Sequence, residues 1–254
     1  MNNRELTFLQ HLGELRRRVL WSVLALLAAS AVSFAFFRQI IEVLVLPARE
    51  VLDVNSGGLI YTEVTELLTT SVKVSLLAGF ILAFPVILYQ VIMFVAPGLT
   101  AKERRYLWMF LPAALIAFVC GVAFAYFVLA PPALKFLLTF GEGVARPEIR
   151  ISNIVNVMVR LLFWMGTAFE TPLVMYLLAT LGIVNARILG RFRRYWVVVA
   201  FILAAIITPT FDPLNQALVA VPLLVLYELG VLLARFAGRA RRRSAALTPF
   251  SHPD

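Results

Sequence analysis

Three carboxylates stand where a carboxylate is unexpected, and each suits a different chemistry. Glu14 lies in Leu6-Thr7-Phe8-Leu9-Gln10-His11-Leu12-Gly13-Glu14-Leu15-Arg16-Arg17-Arg18, two positions before a run of three arginines. Phe8, Leu12, Leu15 and Val19 recur at helical spacing, with Glu5, Gln10, Glu14, Arg17 and Arg18 on other faces. An interfacial helix carrying a Glu14–Arg18 pair at i,i+4 accounts for this pattern. A carboxylate among arginines is nonetheless an unusual choice for a simple membrane anchor. Glu103 follows Pro97-Gly98, which stops one helix, and forms with Thr100 a capping box that starts the next. A capping Glu keeps one oxygen for other work, so Glu103 can also receive a cation from a partner.

Glu170 is the least expected of the three. It sits in Phe169-Glu170-Thr171-Pro172, with apolar or small residues for several turns around it. An ionisable group in hydrocarbon costs a few kcal/mol on insertion scales unless it faces protein or water. It should therefore line a cavity, meet a polar partner, or bond to a backbone kinked at Pro172. Thr208, Asp212 and Gln216 form a further polar set around a short hairpin. Gln216 either bonds to a helix of another subunit or faces water.

Other chemistries are excluded. His11 and His252 both lie in terminal segments, and no HExxH, GxSxG or phosphate-loop pattern occurs. An intramembrane hydrolase needs a nucleophile and a base within the spans, and no histidine is there. Cys120 is the single cysteine, which removes an intramolecular disulfide and a multi-cysteine metal site. No enzyme, metal or cofactor is expected.

The elements that must hold these residues are membrane helices. Of the 254 residues 61% are hydrophobic and 15% charged, with a mean hydropathy of +0.90. A soluble domain is about 45–50% apolar and about 25% charged, and a disordered chain is poorer still in apolar residues. Charge in hydrocarbon is costly, so uncharged runs mark the spans. They predict an all-α polytopic protein of six transmembrane helices at about 19–37, 71–96, 106–130, 154–180, 195–209 and 214–234. These form one domain over 1–236, followed by a basic tail at 237–254. The basic lead and the length of the first run favour a retained span over a cleaved signal peptide. The fifth and sixth runs hold 17 and 15 uncharged residues and are short for a bilayer. Short helices around 40–50 and 62–70 are expected in the first connecting loop.

Pro85, Pro112, Pro172 and Pro222 fall inside apolar runs and predict kinked helices in a curved, open bundle. Ala117, Gly121 and Ala125 form a stripe of small residues suited to close packing. Sixteen Lys and Arg residues fall in the terminal segments and in the second-to-third and fourth-to-fifth loops, against five in the opposite loops. The positive-inside rule then places both termini in the cytoplasm. It also accounts for the net charge of +9 without nucleic acid as a partner.

The motifs occur in a specific order: His11-Leu12-Gly13-Glu14-Leu15-Arg16, Phe84-Pro85-Val86-Ile87-Leu88-Tyr89-Gln90, Phe94-Val95-Ala96-Pro97-Gly98, Glu103-Arg104-Arg105, Phe169-Glu170-Thr171-Pro172, Thr208-Pro209 and Tyr227-Glu228-Leu229-Gly230. From about residue 6 to 236 the chain resembles TatC, the multispanning subunit of the twin-arginine protein translocase. The resemblance implies a receptor in the bacterial cytoplasmic (inner) membrane that binds twin-arginine signal peptides. With TatA- and TatB-type single-span partners it would move folded proteins by the proton-motive force, as a homo-oligomer within the translocase.

By the same resemblance Glu14 and Glu103 are the carboxylates that take the arginines, Arg16 is a basic residue of that segment, and Phe94 an aromatic beside it. Glu170 matches a buried acid facing the concave interior, and Thr208 and Gln216 match positions where partner helices dock. The hairpin Thr210-Phe211-Asp212-Pro213 departs from the family's Pro-Pro-Asp pattern, which leaves the alignment of Asp212 open. The competing reading is a proton-coupled secondary transporter with Glu170 as its protonation site. A purely structural scaffold is a third, in which Glu14, Glu103 and Glu170 would each be replaceable.

Overall fold

The computed structural model describes residues 3–49, 60–96, 101–139, 149–208 and 212–246. Within them, side chains are described except at 3–10, 101–103, 105, 106 and 239–246. The chain runs through helices α1 (Asn3–Ala35), α2 (Phe37–Arg49), α3 (Glu66–Val95) and α4 (Ala101–Phe124). A π-helical turn at Ala125–Leu129 leads into α5 (Ala130–Thr139), followed by α6 (Ile151–Ala168), α7 (Thr171–Thr180), α8 (Ala186–Ile207) and α9 (Pro213–Ala246). No strand occurs among the described residues. One isolated bridge pairs Ile60 with Arg150, through Ile60 N–H to Ile149 O at 3.1 Å and Ile151 N–H to Ile60 O at 3.0 Å.

Five stretches are long and apolar enough to cross a membrane: His11–Ala35, Glu66–Val95, Leu107–Thr139, Ile151–Thr180 and Pro213–Gly238. The expected fifth span corresponds to α8. It has 22 residues, but Arg187, Arg191, Arg193 and Arg194 in its first half keep it out of that set. The amphipathic amino-terminal segment and the first span are one continuous helix. The separate helix expected at 62–70 does not form. Thr62 N–H donates to Glu66 Oε2 at 2.9 Å, so the chain turns at 63–65 and Glu66 opens α3 directly. The hairpin residues Pro209, Thr210 and Phe211 and the end of the basic tail lie outside the described residues.

Pro85, Pro112 and Pro222 lie inside α3, α4 and α9. Pro172 acts differently from the expected kink. The fourth apolar stretch breaks at Phe169-Glu170, and Pro172 occupies the first turn of α7. There its missing N–H has no intrahelical bond to lose. At the other end of α7 the chain reverses at Gly182, whose φ of 77° suits a residue without Cβ. Asn185 then caps α8, its Oδ1 accepting from Ile188 N–H at 3.0 Å.

The main core joins α2, α3, α5, α6, α8 and α9 around Val45, Val74, Leu134, Val155, Met158 and Val219. A second cluster, Ile92, Leu107, Phe110 and Ala114 with Leu173 and Leu177, lies where α3, α4 and α7 meet. Aromatic rings tie α3 to α4 and α6: Phe84 stacks on Phe118 at 3.7 Å, and Phe80 sits 5.0 Å from Phe163. Close helix approach depends on missing side chains. A Cβ on Gly121 would lie 2.7 Å from Met165 O, and one on Gly166 would lie 2.8 Å from Phe118 Cε2. Leu24, Leu27, Val32, Leu82, Ile116 and Val119 remain exposed, as apolar side chains in a lipid-facing position do. Most of the apolar length of α1 stays exposed, since α1 packs chiefly on α3.

Candidate functional site

The polar groups of the amino-terminal helix meet the end of α3. Residues 14 and 18 share one face of α1 because they are one turn apart. Arg18 Nη2 donates to Glu14 Oε1 at 3.2 Å and its Nη1 to Gln90 Oε1 at 3.1 Å, so one guanidinium spans both helices. Arg18 Nε is buried without a hydrogen-bond partner among the described residues. One turn away on each helix His11 stacks on Phe94, centroids 4.5 Å apart. Beneath these groups an apolar groove of about 220 Å³ runs between α1 and α3, lined by Val19, Val23, Leu26, Phe80, Ile87 and Val91 among others. The Glu14 and Arg18 side chains keep 31% and 25% of their surface, so the carboxylate is within reach of water and of an incoming cation.

Of the sequence-derived site residues, Glu14 and Phe94 are thus brought to one corner. Arg16 is not. Two residues on from Glu14 it is turned about 200° around the helix axis, and it lies exposed. The backbone of Glu103 belongs to the first turn of α4, but its side chain, like Thr100 and the Pro97-Gly98 stop, lies outside the described residues. Arg18 and Gln90 are not among the sequence-derived site residues. The available signal was Gln90 itself, a polar amide within the uncharged run 74–101. Its partner sits 72 residues earlier in the chain.

Glu170 occupies the break between α6 and α7 and is 9% exposed. Among the described residues neither carboxylate oxygen makes a well-formed hydrogen bond; the nearby polar group is the backbone of Phe118 on α4. The hydrogen bond to a kinked backbone near Pro172, one sequence expectation, is absent. The break is walled by α9, where a Cβ on Gly230 would meet the Met175 sulfur and lie 3.2 Å from Pro172 Cα.

Thr208 ends α8 and is buried, with Oγ1 donating to Ala204 O at 2.8 Å. Gln216 donates through Nε2 to Phe201 O at 2.9 Å, tying α9 to α8 within the chain rather than pointing away from it. Asp212 caps α9 as acceptor from Asn215 N–H at 2.8 Å and Asn215 Nδ2 at 3.0 Å. At the other end of this helix pair Arg193 and Glu228 form an ion pair of 2.7 Å, with nearly half of each side chain exposed.

Residues 10–222 match the family model for the Sec-independent protein translocase protein (TatC). The chain is 36% identical over 236 residues to the Sec-independent protein translocase protein TatC of Carboxydothermus hydrogenoformans, covering 93% of this chain and 96% of that one. It is 38% identical over 235 residues to the TatC of Aquifex aeolicus, covering 92% and 96%. A chloroplastic TATC of Arabidopsis thaliana is 38% identical over 240 residues, which is 94% of this chain and 69% of that protein. Among solved structures, a crystal structure of the twin-arginine translocase receptor TatC superposes with a TM-score of 0.81 at 38% identity. That match covers 89% of this chain and 99% of the other.

Proposed function

The chain belongs to the TatC family of Sec-independent protein translocases, and from that premise we propose that it is the receptor for twin-arginine signal peptides. It is a multi-pass membrane component of a translocase and not an enzyme. That membership displaces the competing reading of the chain as a secondary transporter. In the proposed arrangement all six expected spans cross the inner membrane, α8 supplying the fifth, with both termini in the cytoplasm. The bias of Lys and Arg between the two sets of loops supports this orientation. TatA- and TatB-type helices dock near Thr208 and Gln216, the receptor works as a homo-oligomer, and transport draws on the proton-motive force.

The observation that carries the receptor reading is the Glu14 carboxylate, held at the surface where α1 meets α3 beside the His11–Phe94 stack. A carboxylate takes a guanidinium through short, charge-assisted bonds that can be bidentate, which an ammonium cannot match. Glu103, on the first turn of α4, supplies the second carboxylate. The test is binding of a synthetic signal peptide to the purified protein in detergent, comparing twin-arginine with twin-lysine forms. Wild type should prefer arginine, and Glu103→Ala should abolish that preference. Equal binding of both peptides by wild type, with or without TatA/TatB-type partners, would sink the reading.

A further inference from the structure

Glu14 already holds a guanidinium. Arg18 Nη2 lies 3.2 Å from Glu14 Oε1 while its Nη1 lies 3.1 Å from Gln90 Oε1. The group on Glu14 is therefore chemically the same as the one a twin-arginine peptide brings. A bidentate bond from the peptide needs both carboxylate oxygens, so Arg18 must first leave Oε1. Gln90 is suited to that exchange: its amide oxygen accepts from Arg18 without a charge of its own, and it lies on α3 rather than on the helix that carries Glu14.

We propose that Arg18 sets the affinity of the receptor site as an internal competitor, occupying Glu14 when no peptide is bound, yielding it to a peptide arginine and remaining on Gln90. This rests on the reading of Glu14 as a signal-peptide acceptor. Competition by a tethered group weakens every bidentate guanidinium ligand of Glu14 by the same factor. It also changes release: as the peptide arginine lets go, Arg18 recaptures Glu14 and hinders rebinding. Gln90 is a positioning residue in this scheme, acting only through Arg18.

The experiment measures binding of a fluorescent twin-arginine peptide to the full chain in detergent at fixed ionic strength. Arg18→Gln should tighten binding roughly two- to fivefold, the range expected for a partly exposed ion pair. Arg17→Gln removes the same charge from the exposed neighbour and should give a smaller gain. A gain of affinity cannot come from misfolding. Gln90→Leu should weaken binding when Arg18 is present and change nothing in the Arg18→Gln background. The exchange is overturned if Arg18→Gln gains no more than Arg17→Gln, or if Gln90→Leu acts equally in both backgrounds. A Glu14→Gln variant that binds like wild type overturns the receptor reading of Glu14 itself, which separates the two failures. Loss of binding in Glu14→Gln together with the gain in Arg18→Gln supports both.

Discussion

Glu66 and Glu170 are almost equally buried, at 8% and 9% exposure, yet their surroundings are opposite. Glu66 accepts from Thr62 N–H at 2.9 Å, Ser152 Oγ at 2.6 Å and Ser152 N–H at 3.3 Å, which stitches the start of α3 to the start of α6. The isolated bridge between Ile60 and Arg150 and a Lys73–Asn156 hydrogen bond of 2.9 Å lie at the same junction. Glu170 sits in a helix break and, among the described residues, has no such donors. A buried carboxylate with both oxygens engaged is part of the framework. One left unsatisfied is a cost that the fold carries for another reason. The difference assigns Glu66 to the architecture, whereas among the described residues Glu170 has no such framework role.

The largest expected effect comes from filling the wall of the Glu170 break. Gly230→Leu drives a side chain into Met175 and Pro172, and overpacking of this kind costs about 1–3 kcal/mol. Thermal unfolding in detergent should show a clear drop in melting temperature, and an unchanged value would mean that α7 and α9 separate freely. Glu66→Leu should lower the melting temperature less, because it strands the donors of Thr62 and Ser152 while leaving the main core in place. If the variant melted like wild type, the contrast between the two carboxylates would collapse. Glu170→Gln should have the smallest effect on stability, within about 1 kcal/mol, since no formed hydrogen bond is lost. Export of a twin-arginine cargo should nevertheless fall. A Glu170→Gln protein that melts as low as Glu66→Leu, or that exports normally, would return Glu170 to the framework.

The apolar runs at 74–101 and 106–134 were legible because the penalty for charge in hydrocarbon is a property of each residue, independent of neighbours. The fifth run, about 195–209, was legible in the same way but marked only the second half of α8: the helix begins at Ala186 and carries four arginines before the run, while Ala200, Ala204 and Ile207 within it are buried in the main core. Pro172 was legible as a disturbance but not as its outcome. A proline can kink a helix or start one, and the choice depends on whether Phe169-Glu170 can turn.

The sequence by itself determined that this is a helical membrane protein, where its apolar stretches run, and which carboxylates are out of place. Only the tertiary structure decided what Glu14 and Glu170 meet. Arg18 meets Gln90 across 72 positions and Glu66 meets Ser152 across 86. Those pairings follow from which helices become neighbours and how far each is rotated. Both depend on how ridges and gaps fit, such as Gly121 against Met165 and Gly79 against Ser30. Hydropathy is additive along the chain; packing is a joint property of surfaces that the chain brings together only when folded.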